Sequence, residues 1–250
     1  MLRYRVIPIV LLDSYSVVKT IRFDVRRNLG NPITVARVYD SRGVDELILL
    51  DIDASKQSRG IDLHTVEAVA KECFMPLTVG GGIKTSREIS SALKAGADKV
   101  SLNTVLFENP DFFREAVSVF GSQCIVASVD VRKNNLGEYR VFSHAGKGDL
   151  GLNESLELLV RSKVGEILLN SVDQDGVMNG YDYRLIEYAA SIVRTIPIIA
   201  AGGASAPQDC AKAVQAGASA VAASSMFHFT SITPRMCKES MQESGLLVRL

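Results

Sequence analysis

The sequence predicts an α/β fold, a (β/α)8 or TIM barrel built from two duplicated half-barrels, and three observations lead to it. Short, nearly continuous apolar runs recur eight times along the 250 residues and end in Gly, Asp, Asn or Ser. Amphipathic segments with apolar residues at three- and four-residue steps separate these runs, which is typical of parallel strands joined by helices. Residues 76–104 also align without gaps on residues 197–225, and two related halves of four strands close naturally into one barrel.

The predicted elements can be read off the sequence in order. The strands are RVIPIVLL, ELILLDID, PLTVGG, KVSLN, CIVASVD, EILLNS, PIIAAGG and AVAASS. The helices between them include LHTVEAVAKEC, SREISSALKAG, PDFFREAVSVFG, RLIEYAASIVR and PQDCAKAVQAG, several of which end in the glycine typical of a helix C-cap. A doubly wound open sheet is the competing fold, and the internal repeat favours the barrel.

Composition limits the classes of function. Residues 1–250 are expected to form one domain, because no Pro/Ser-rich linker or charge block divides them. Lys and Arg total 28 and Asp and Glu total 28, so nothing in the charge favours a nucleic acid or a membrane surface as partner. The cysteines lack metal-ligand spacing, and neither a metal nor a cofactor is predicted; they are Cys73, Cys124, Cys210 and Cys237. Without a long apolar run or a signal peptide, a cytoplasmic location is expected.

Two glycine-rich turns predict two phosphate sites at the end of the barrel where the strands finish. Each turn follows a strand and precedes a helix, an arrangement that directs backbone amides and a helix N-terminus at an anion. Because the internal repeat relates the two turns, we expect an elongated ligand with a phosphate at each end. The first site comprises Gly81, Gly82, Asn103 and Thr104, and the second comprises Gly202, Gly203, Ser224 and Ser225.

Further candidates stand in the loops at the same end. Lys19, after strand one, either adds positive charge to the ligand site or is a solvated loop lysine. Asp51, at the end of strand two, is a carboxylate of the same mouth and a candidate ligand-binding residue. Gly176 lies in the acidic loop after strand six and is able to offer its amide to the second phosphate, and His144 is a candidate for contact with substrate.

Charged residues also precede four of the strands. If their side chains point inward, two positive and two negative charges form a neutral ring at the opposite mouth of the barrel. Paired charges tolerate such burial, whereas unpaired ones are costly. The alternative is that they are ordinary solvated residues at strand starts. The four are Arg5, Glu46, Lys99 and Glu166.

These motifs together resemble the HisF family, the cyclase subunit of imidazole glycerol phosphate synthase. The likeness runs through RVIP, LTVGGGI, GADKVS, FGSQCIV, GEILL, DQDG, GYD and MFHF to the terminal VRL, and so covers essentially the whole chain. It implies a half-barrel duplication that acts on a bisphosphate in histidine biosynthesis. It also implies a heterodimer with a glutaminase (HisH-type) subunit, which supplies ammonia for closure of an imidazole ring.

The resemblance assigns roles to several residues. It makes Asp130, which closes strand five, one of two catalytic aspartates, and it makes the charged ring an ammonia gate with Asp98 facing the glutaminase. The second aspartate is absent, because the flanking residues place Leu11 at its position. Leucine cannot transfer a proton, and the loss of one general acid or base costs about 10²–10⁴ in rate. Asp13 is two residues further along the strand, about 6–7 Å away, and is not expected to substitute.

The combination of an intact gate and an altered catalytic pair resembles the divergent second copies of this subunit that accompany surface-polysaccharide genes. That resemblance implies ammonia supply for acetamidino sugars as a function in place of the standard cyclisation. A related sugar isomerase is a weaker reading, since it needs both aspartates and no gate. A barrel without catalytic activity, which scaffolds or activates a glutaminase, is the alternative from another class.

Overall fold

The computed structural model describes residues 3–143 and 149–250, in which parallel strands close into a barrel as predicted. Backbone pairing closes the ring, because β7 contacts both β6 and β10 while β1 contacts both β12 and β4. The barrel strands are β1 (Arg5–Asp13), β4 (Leu47–Asp51), β5 (Leu77–Gly80), β6 (Lys99–Leu102), β7 (Ile125–Lys133), β10 (Glu166–Ser171), β11 (Ile198–Ala201) and β12 (Ala220–Ala223). His144 lies outside the described residues.

Helices cover the outside of the barrel. Those predicted from periodicity are α2 (Leu63–Ala70), α3 (Ser86–Lys94), α5 (Phe112–Phe120), α7 (Tyr183–Val193) and α8 (Pro207–Gln215). The others are α1 (Pro32–Ser41), α4 (Val105–Glu108), α6 (Leu152–Ser162), α9 (Ser225–Phe229) and α10 (Pro234–Glu243). None of the helices in the described part of the chain is long and apolar enough to cross a lipid bilayer.

Two antiparallel extensions, which the sequence analysis did not predict, stand above the barrel. In the first half, β1 continues into β2 (Ser16–Ile21) and β3 (Val25–Gly30); in the second, β7 continues into β8 (Tyr139–Phe142) and β9 (Asp149–Gly151). Lys19 therefore lies on a strand, not in the solvated loop that was one reading of the sequence. The matching position of the extensions repeats the duplication of the halves.

Strand register shows which residue of one half corresponds to which residue of the other. Val100 pairs with Ile125 between β6 and β7, and Val221 pairs with Val6 between β12 and β1. Since Val100 and Val221 correspond in the internal repeat, Ile125 corresponds to Val6. The same count along both strands makes Asp130 the counterpart of Leu11. The duplication predicted from glycine and alanine positions thus extends to β1 and β7, the strands that carry Leu11 and Asp130.

The hydrophobic core has two parts, one between the barrel and the helices and one inside the barrel. Alternate residues of each strand point inward, because side chains alternate between the faces of a strand. Inside, buried aliphatic residues dominate the middle of the barrel, and the charged side chains lie toward its two ends. They are Ile7, Ile48, Val126, Leu168, Ile199, Ala201, Ala220 and Ala222.

We expect Phe113→Ala to destabilise the protein by about 3–5 kcal/mol, because the ring is completely buried between α5 and the barrel and its removal leaves a cavity. Urea unfolding followed by circular dichroism measures the change. Val119→Ala is the matched control on the same helix, since Val119 is 62% exposed. Equal effects of the two substitutions would contradict this description of the core.

Candidate active site

One pocket at the C-terminal mouth, the end where the barrel strands finish, is lined by all the predicted substrate- and phosphate-binding residues except His144, which lies outside the described residues. Both glycine turns therefore lie at the same pole, as an elongated ligand requires. Leu11 lines the same pocket. The predicted residues found there are Lys19, Asp51, Gly81, Gly82, Asn103, Thr104, Asp130, Gly176, Gly202, Gly203, Ser224 and Ser225.

Asp130 lies between two asparagines that contact different oxygens of its carboxylate. Asn103 Nδ2 donates to Asp130 Oδ2 at 3.0 Å, and Asn170 Nδ2 donates to Asp130 Oδ1 at 3.0 Å. Asn103 also donates to the Ser128 carbonyl oxygen at 3.1 Å, which fixes its amide plane. We call Asn103, Asp130 and Asn170 the polar trio. Its members end the inward faces of β6, β7 and β10, three adjacent strands.

The polar trio gives Asp130 a proton affinity suited to acid–base chemistry. Burial raises the pKa of Asp130 to about 6; the charge of Asp175 acts in the same direction, and the amide donors of Asn170 and Asn103 oppose it. Because folding raises this pKa, the ionised carboxylate costs stability as the pH rises toward 6 and above. A carboxyl group in a pocket with a pKa close to neutral pH is typical of a catalytic residue.

Leu11 occupies the position that corresponds to Asp130 in the other half. Leu50 pairs with Leu11 as Asn170 pairs with Asp130, and Ser224 corresponds to Asn103 through the repeat. The counterpart of the polar trio is thus Ser224, Leu11 and Leu50, which we call the apolar trio. One wall of the mouth offers a carboxylate and two amides, while the other offers two leucines and a hydroxyl.

Asp13 does not take the place of the missing carboxylate. Its Oδ2 accepts from Arg26 Nη1 at 2.7 Å, and the same guanidinium binds both oxygens of Asp53 at 2.5 Å. Hydrogen bonding by Arg26 lowers the pKa of Asp53 to about 2, so this carboxylate stays ionised. Asp13 and Asp53 therefore hold the β2–β3 extension down on the barrel rim, and neither is among the residues that line the pocket.

The second phosphate site contains polar groups without a partner. Within the described residues, Ser224 Oγ and Ser225 Oγ are buried and accept or donate no hydrogen bond. Buried hydroxyls are normally satisfied, so a ligand oxygen is the expected partner. Gly203 fits this site closely, because its φ is +101° and a Cβ there would lie 2.1 Å from the Gly180 carbonyl oxygen.

The first phosphate site is arranged differently. Thr104 Oγ1 is hydrogen-bonded to Ser55 Oγ at 2.8 Å, and the Asn103 amide is directed at Asp130 instead of at a phosphate position. Gly82 corresponds to Gly203 and packs as tightly, with a Cβ position 1.9 Å from the Arg59 carbonyl oxygen. The side chains of this site are thus already partnered, and its capacity for an anion rests on backbone groups.

Two buried ion pairs hold the rest of the mouth. Lys19 Nζ lies 2.9 Å from Asp175 Oδ1, and Thr20 Oγ1 donates to the other oxygen of Asp175 at 2.9 Å. Asp51 accepts from Arg59 Nη1 at 2.5 Å and from the backbone amides of residues 53 and 54 at 3.1 Å. The Asp51 side chain is fully buried, which favours a role in shaping the loop over direct contact with a ligand.

The opposite mouth carries the predicted charged ring, formed by Arg5, Glu46, Lys99 and Glu166. Arg5 Nη1 lies 2.6 Å from Glu46 Oε2, and its Nη2 pairs with Glu166. Lys99 Nζ lies 2.7 Å from Glu46 Oε1 and 2.8 Å from Glu166 Oε2, so each cation bridges both anions. Burial opposes the charge of Glu166, but Arg5 and Lys99 outweigh it and lower the pKa of its carboxyl. The reading of these residues as solvated strand starts is therefore wrong.

The remaining candidates lie where their predicted roles place them or have packing roles. Asp98 is exposed beside the charged ring, and its Oδ2 accepts from the Leu77 amide at 2.8 Å. His228 packs edge-on against Tyr39, and burial lowers the pKa of its imidazole to about 4. His64 is the second residue of α2. Over residues 3–143 and 149–250, no group of His, Cys, Asp or Glu is arranged to hold a metal ion.

Sequence reasoning missed several residues of these sites. Asn170 is the most consequential of them. The signal that could have identified it is a polar residue at the end of an otherwise apolar strand, EILLNS. Arg59 pairs with Asp51, and Thr78 Oγ1 donates to Glu46 Oε1 of the charged ring at 3.0 Å. Nothing in the local sequence around Arg59 or Thr78 indicates these partners, which belong to other strands and loops.

Comparison with known proteins now decides the family. The model of the histidine biosynthesis protein family matches residues 5–233. The chain is 44% identical, over all of both chains, to a Campylobacter jejuni protein named as the hisF2 subunit of imidazole glycerol phosphate synthase. The HisF subunit of Dictyoglomus thermophilum is 43% identical over all of both chains, and that of Nocardia farcinica is 44% identical over 98% of each. The chain belongs to the HisF family.

Membership of the HisF family confirms the resemblance drawn from the sequence motifs, and the closed barrel confirms the fold. Identity to the three HisF-family proteins is nearly the same, 43–44%. Overall identity therefore does not show which of these relatives the chain resembles most in function. What distinguishes it within the HisF family has to be argued from individual residues, above all Leu11 opposite Asp130.

We expect Arg5→Leu to destabilise this HisF-family barrel by about 3 kcal/mol at pH 7.5, because it leaves Glu46 and Glu166 with Lys99 as their one counter-charge in the ring. The deficit should shrink as the pH falls toward the ordinary glutamate pKa of 4.5, where protonation removes the excess negative charge. Urea unfolding at a series of pH values measures both effects.

Arg37→Leu is the matched control, since Arg37 forms an exposed pair with Glu72 and is expected to leave the unfolding midpoint unchanged. An Arg5→Leu protein as stable as the parent at pH 7.5 would contradict the ring as described.

Proposed function

We propose that this HisF-family chain is the ammonia-using barrel of a glutamine-dependent synthase, that it binds a bisphosphate, and that Leu11 diverts it from the standard ring closure. The observation that carries the proposal is an intact charged ring at one mouth combined with a site at the other in which, among the described residues, Asp130 is the one carboxylate without a cationic partner. Its relatives are named as subunits of imidazole glycerol phosphate synthase, which supports a partner subunit for this chain.

The route proposed for ammonia follows the barrel axis. The charged ring surrounds the N-terminal mouth, and above it the lumen is lined by aliphatic side chains such as Ile7, Val126 and Leu168. Neutral ammonia can pass such a lining, whereas an ammonium ion would lose its hydration there. A glutaminase docked over Asp98 and the ring would deliver ammonia without exposing it to solvent water. Asp130 stands at the far end of this path.

The bisphosphate is proposed from the two glycine turns and the buried serine hydroxyls. Ser225 Oγ lies at the start of α9, after β12, and has no partner within the described residues. Gly203 brings backbone to the same site, and Gly176 closes the loop beside it. The matching first site, with Gly82, lies across the mouth at the equivalent strand. Two anion sites related by the half-barrel duplication fit a ligand with a phosphate at each end.

Leu11 limits the chemistry that this mouth can perform. Ring closure with loss of a leaving group moves protons at two places, which needs one group to donate and another to accept. The polar trio supplies one titratable group, and the apolar trio supplies none. The proposed outcome is either addition of ammonia to another phosphorylated substrate or transfer of ammonia to a further enzyme. Ammonia supply for acetamidino sugars of surface polysaccharides is the form of this role that the sequence resemblance implies.

A scaffold for a glutaminase is the second candidate, and the same leucine favours it. A barrel that only activates its partner needs the charged ring and the docking face but no proton transfer at Asp130. The two candidates differ in whether the mouth must bind and convert a ligand.

We expect Leu11→Asp to raise the standard cyclase activity at least about 100-fold over the parent chain, because it restores a second proton-transferring group at the mouth. The assay supplies the standard bisphosphate intermediate with ammonium salts and follows product formation. Leu11→Asn is the control, since it matches aspartate in size but cannot transfer a proton. Full activity of the parent chain would show that Leu11 does not divert the reaction.

The same assay, run with glutamine and a co-expressed HisH-type glutaminase, separates the scaffold alternative. Asp130→Asn should leave both the glutaminase rate and the final pathway product intact if the barrel is only a scaffold. Loss of product with an unchanged glutaminase rate would support catalysis at the mouth.

We expect Ser225→Ala to weaken binding of a bisphosphate by about 10- to 100-fold, because the buried hydroxyl loses a charge-assisted hydrogen bond to the phosphate. Without ligand the same substitution should keep or slightly raise stability, since it removes an unpaired buried hydroxyl. Calorimetric titration and thermal unfolding measure the two effects. Ser162→Ala, buried on α6, is the control; unchanged bisphosphate affinity in Ser225→Ala would contradict the second phosphate site.

A further inference from the structure

We propose that Asn170 is a positioning residue for Asp130, which together with Asn103 holds the carboxylate ionised and oriented so that one side chain can take and return a proton. The consequence for catalysis rests on the proposed function above. The effect on Asp130 itself needs no substrate, and the experiment below makes use of that.

The contacts provide the first argument. Each oxygen of Asp130 accepts one amide hydrogen bond at 3.0 Å, from Asn103 to Oδ2 and from Asn170 to Oδ1. Two donors on two oxygens fix the plane of the carboxylate as well as its position. A carboxamide is neutral and does not titrate, so it stabilises the ionised form without competing for the proton. Asn170 thus acts on the reaction through Asp130 and need not touch the substrate.

The surrounding charges explain why such donors are needed. Asp175 raises the proton affinity of Asp130, and most of the charge on Asp175 is compensated by Lys19 at 2.9 Å. Asp51, on β4, is neutralised by Arg59 at 2.5 Å. The charged residues of the two strands beside β7 lie at the other end of the barrel, far from Asp130. They are Lys99 on β6 and Glu166 on β10, which pair with each other in the charged ring. At the mouth, burial therefore pushes Asp130 toward its neutral form and the two amides act against it.

The duplication provides an independent argument. In the half where the catalytic position is Leu11, the position of Asn170 is held by Leu50, in the same register. A leucine at this position of the barrel therefore packs without difficulty, and the fold does not require an amide there. The amide occurs in the half that has the carboxylate. Leucine thus pairs with leucine in one half, and asparagine pairs with aspartate in the other. This matched difference indicates that Asn170 is needed to position Asp130 and not to stabilise the barrel.

The chemical consequence follows because Asp51 and Asp175 are held in ion pairs with Arg59 and Lys19, which leaves Asp130 as the carboxylate available for proton transfer. A site with two titratable groups can divide donation and acceptance between them. A site with Asp130 alone must use one group for both, which works best when its proton affinity lies near the working pH. Without Asn170, burial and Asp175 would leave Asp130 protonated at neutral pH and unable to act as a base.

The test is a carbon-detected NMR titration of the Asp130 carboxyl in the intact chain, assigned by comparison with Asp130→Asn. In Asn170→Leu we expect the pKa of Asp130 to rise from about 6 to about 7 or above, because one stabilising hydrogen bond is lost. Asn170→Ser, whose hydroxyl can still donate, should give an intermediate value. Leu50→Asn is the matched control in the other half and should leave the titration of Asp130 unchanged.

An unshifted Asp130 titration in both Asn170 variants would overturn the proposal, and Asn170→Ser alone decides it if Asn170→Leu does not fold. A shift of equal size in Leu50→Asn would also overturn it, since the effect would then be a general property of the lumen. The titration is independent of the proposed function. If it shifts as expected while calorimetry detects no bisphosphate binding, the positioning role stands and the proposed ligand fails.

If the titration shifts as expected and the protein binds the bisphosphate, the acidic limb of the plot of kcat against pH should shift to higher pH in Asn170→Leu, following the pKa of Asp130. KM for the bisphosphate should be unchanged. A merely structural role would lower activity at every pH instead.

Discussion

Backbone pairing between β7 and β10, together with that between β12 and β1, is the interaction on which the rest of this protein depends. It closes the sheet, and closure leaves a mouth at each end of a barrel whose middle is packed with aliphatic side chains. The register of these pairings decides which residues face inward at each level. Charged side chains come to the bottom, aliphatic ones to the middle, and the candidate active-site residues such as Asp130 to the top, because inward positions recur every second residue on all strands.

Closure of two similar halves does not make the halves chemically equal. The same three inward positions carry the polar trio of Asn103, Asp130 and Asn170 in one half and the apolar trio of Ser224, Leu11 and Leu50 in the other. Packing tolerates both sets, since neither changes the barrel. The two proposed phosphate sites differ as well, with the hydroxyl of Thr104 partnered by Ser55 and that of Ser225 unpartnered within the described residues. Substrate orientation across the mouth would then be set by this difference.

Most of the buried charge at the two mouths of the barrel is balanced by a charge of opposite sign. The charged ring sums to zero, Lys19 faces Asp175, and Arg59 faces Asp51, so each anion has a cation within hydrogen-bonding distance. Such pairs are costly to leave half complete, which constrains substitutions at both mouths. Asp130 is the exception at the upper mouth, because two neutral amides and no cation contact its carboxylate. Burial without a cationic partner raises the pKa of Asp130 to about 6, and the proposed proton transfer depends on this value.

The alternation of strands and helices, the duplication, the glycine turns and the charges before the strands could be predicted from the amino-acid sequence, because each leaves a pattern of residue types along the chain. So could the leucine at position 11, where the HisF resemblance implies an aspartate. The side-chain contacts between distant segments appear only in the three-dimensional structure. Asn170 contacts Asp130, which is 40 residues away in the sequence, and Arg5 contacts Glu166, which is 161 residues away. The pairing of Asp51 with Arg59, the position of Lys19 on a strand and the antiparallel extensions likewise appear only there. These outcomes depend on register and loop path between distant segments, and local composition does not encode such pairing.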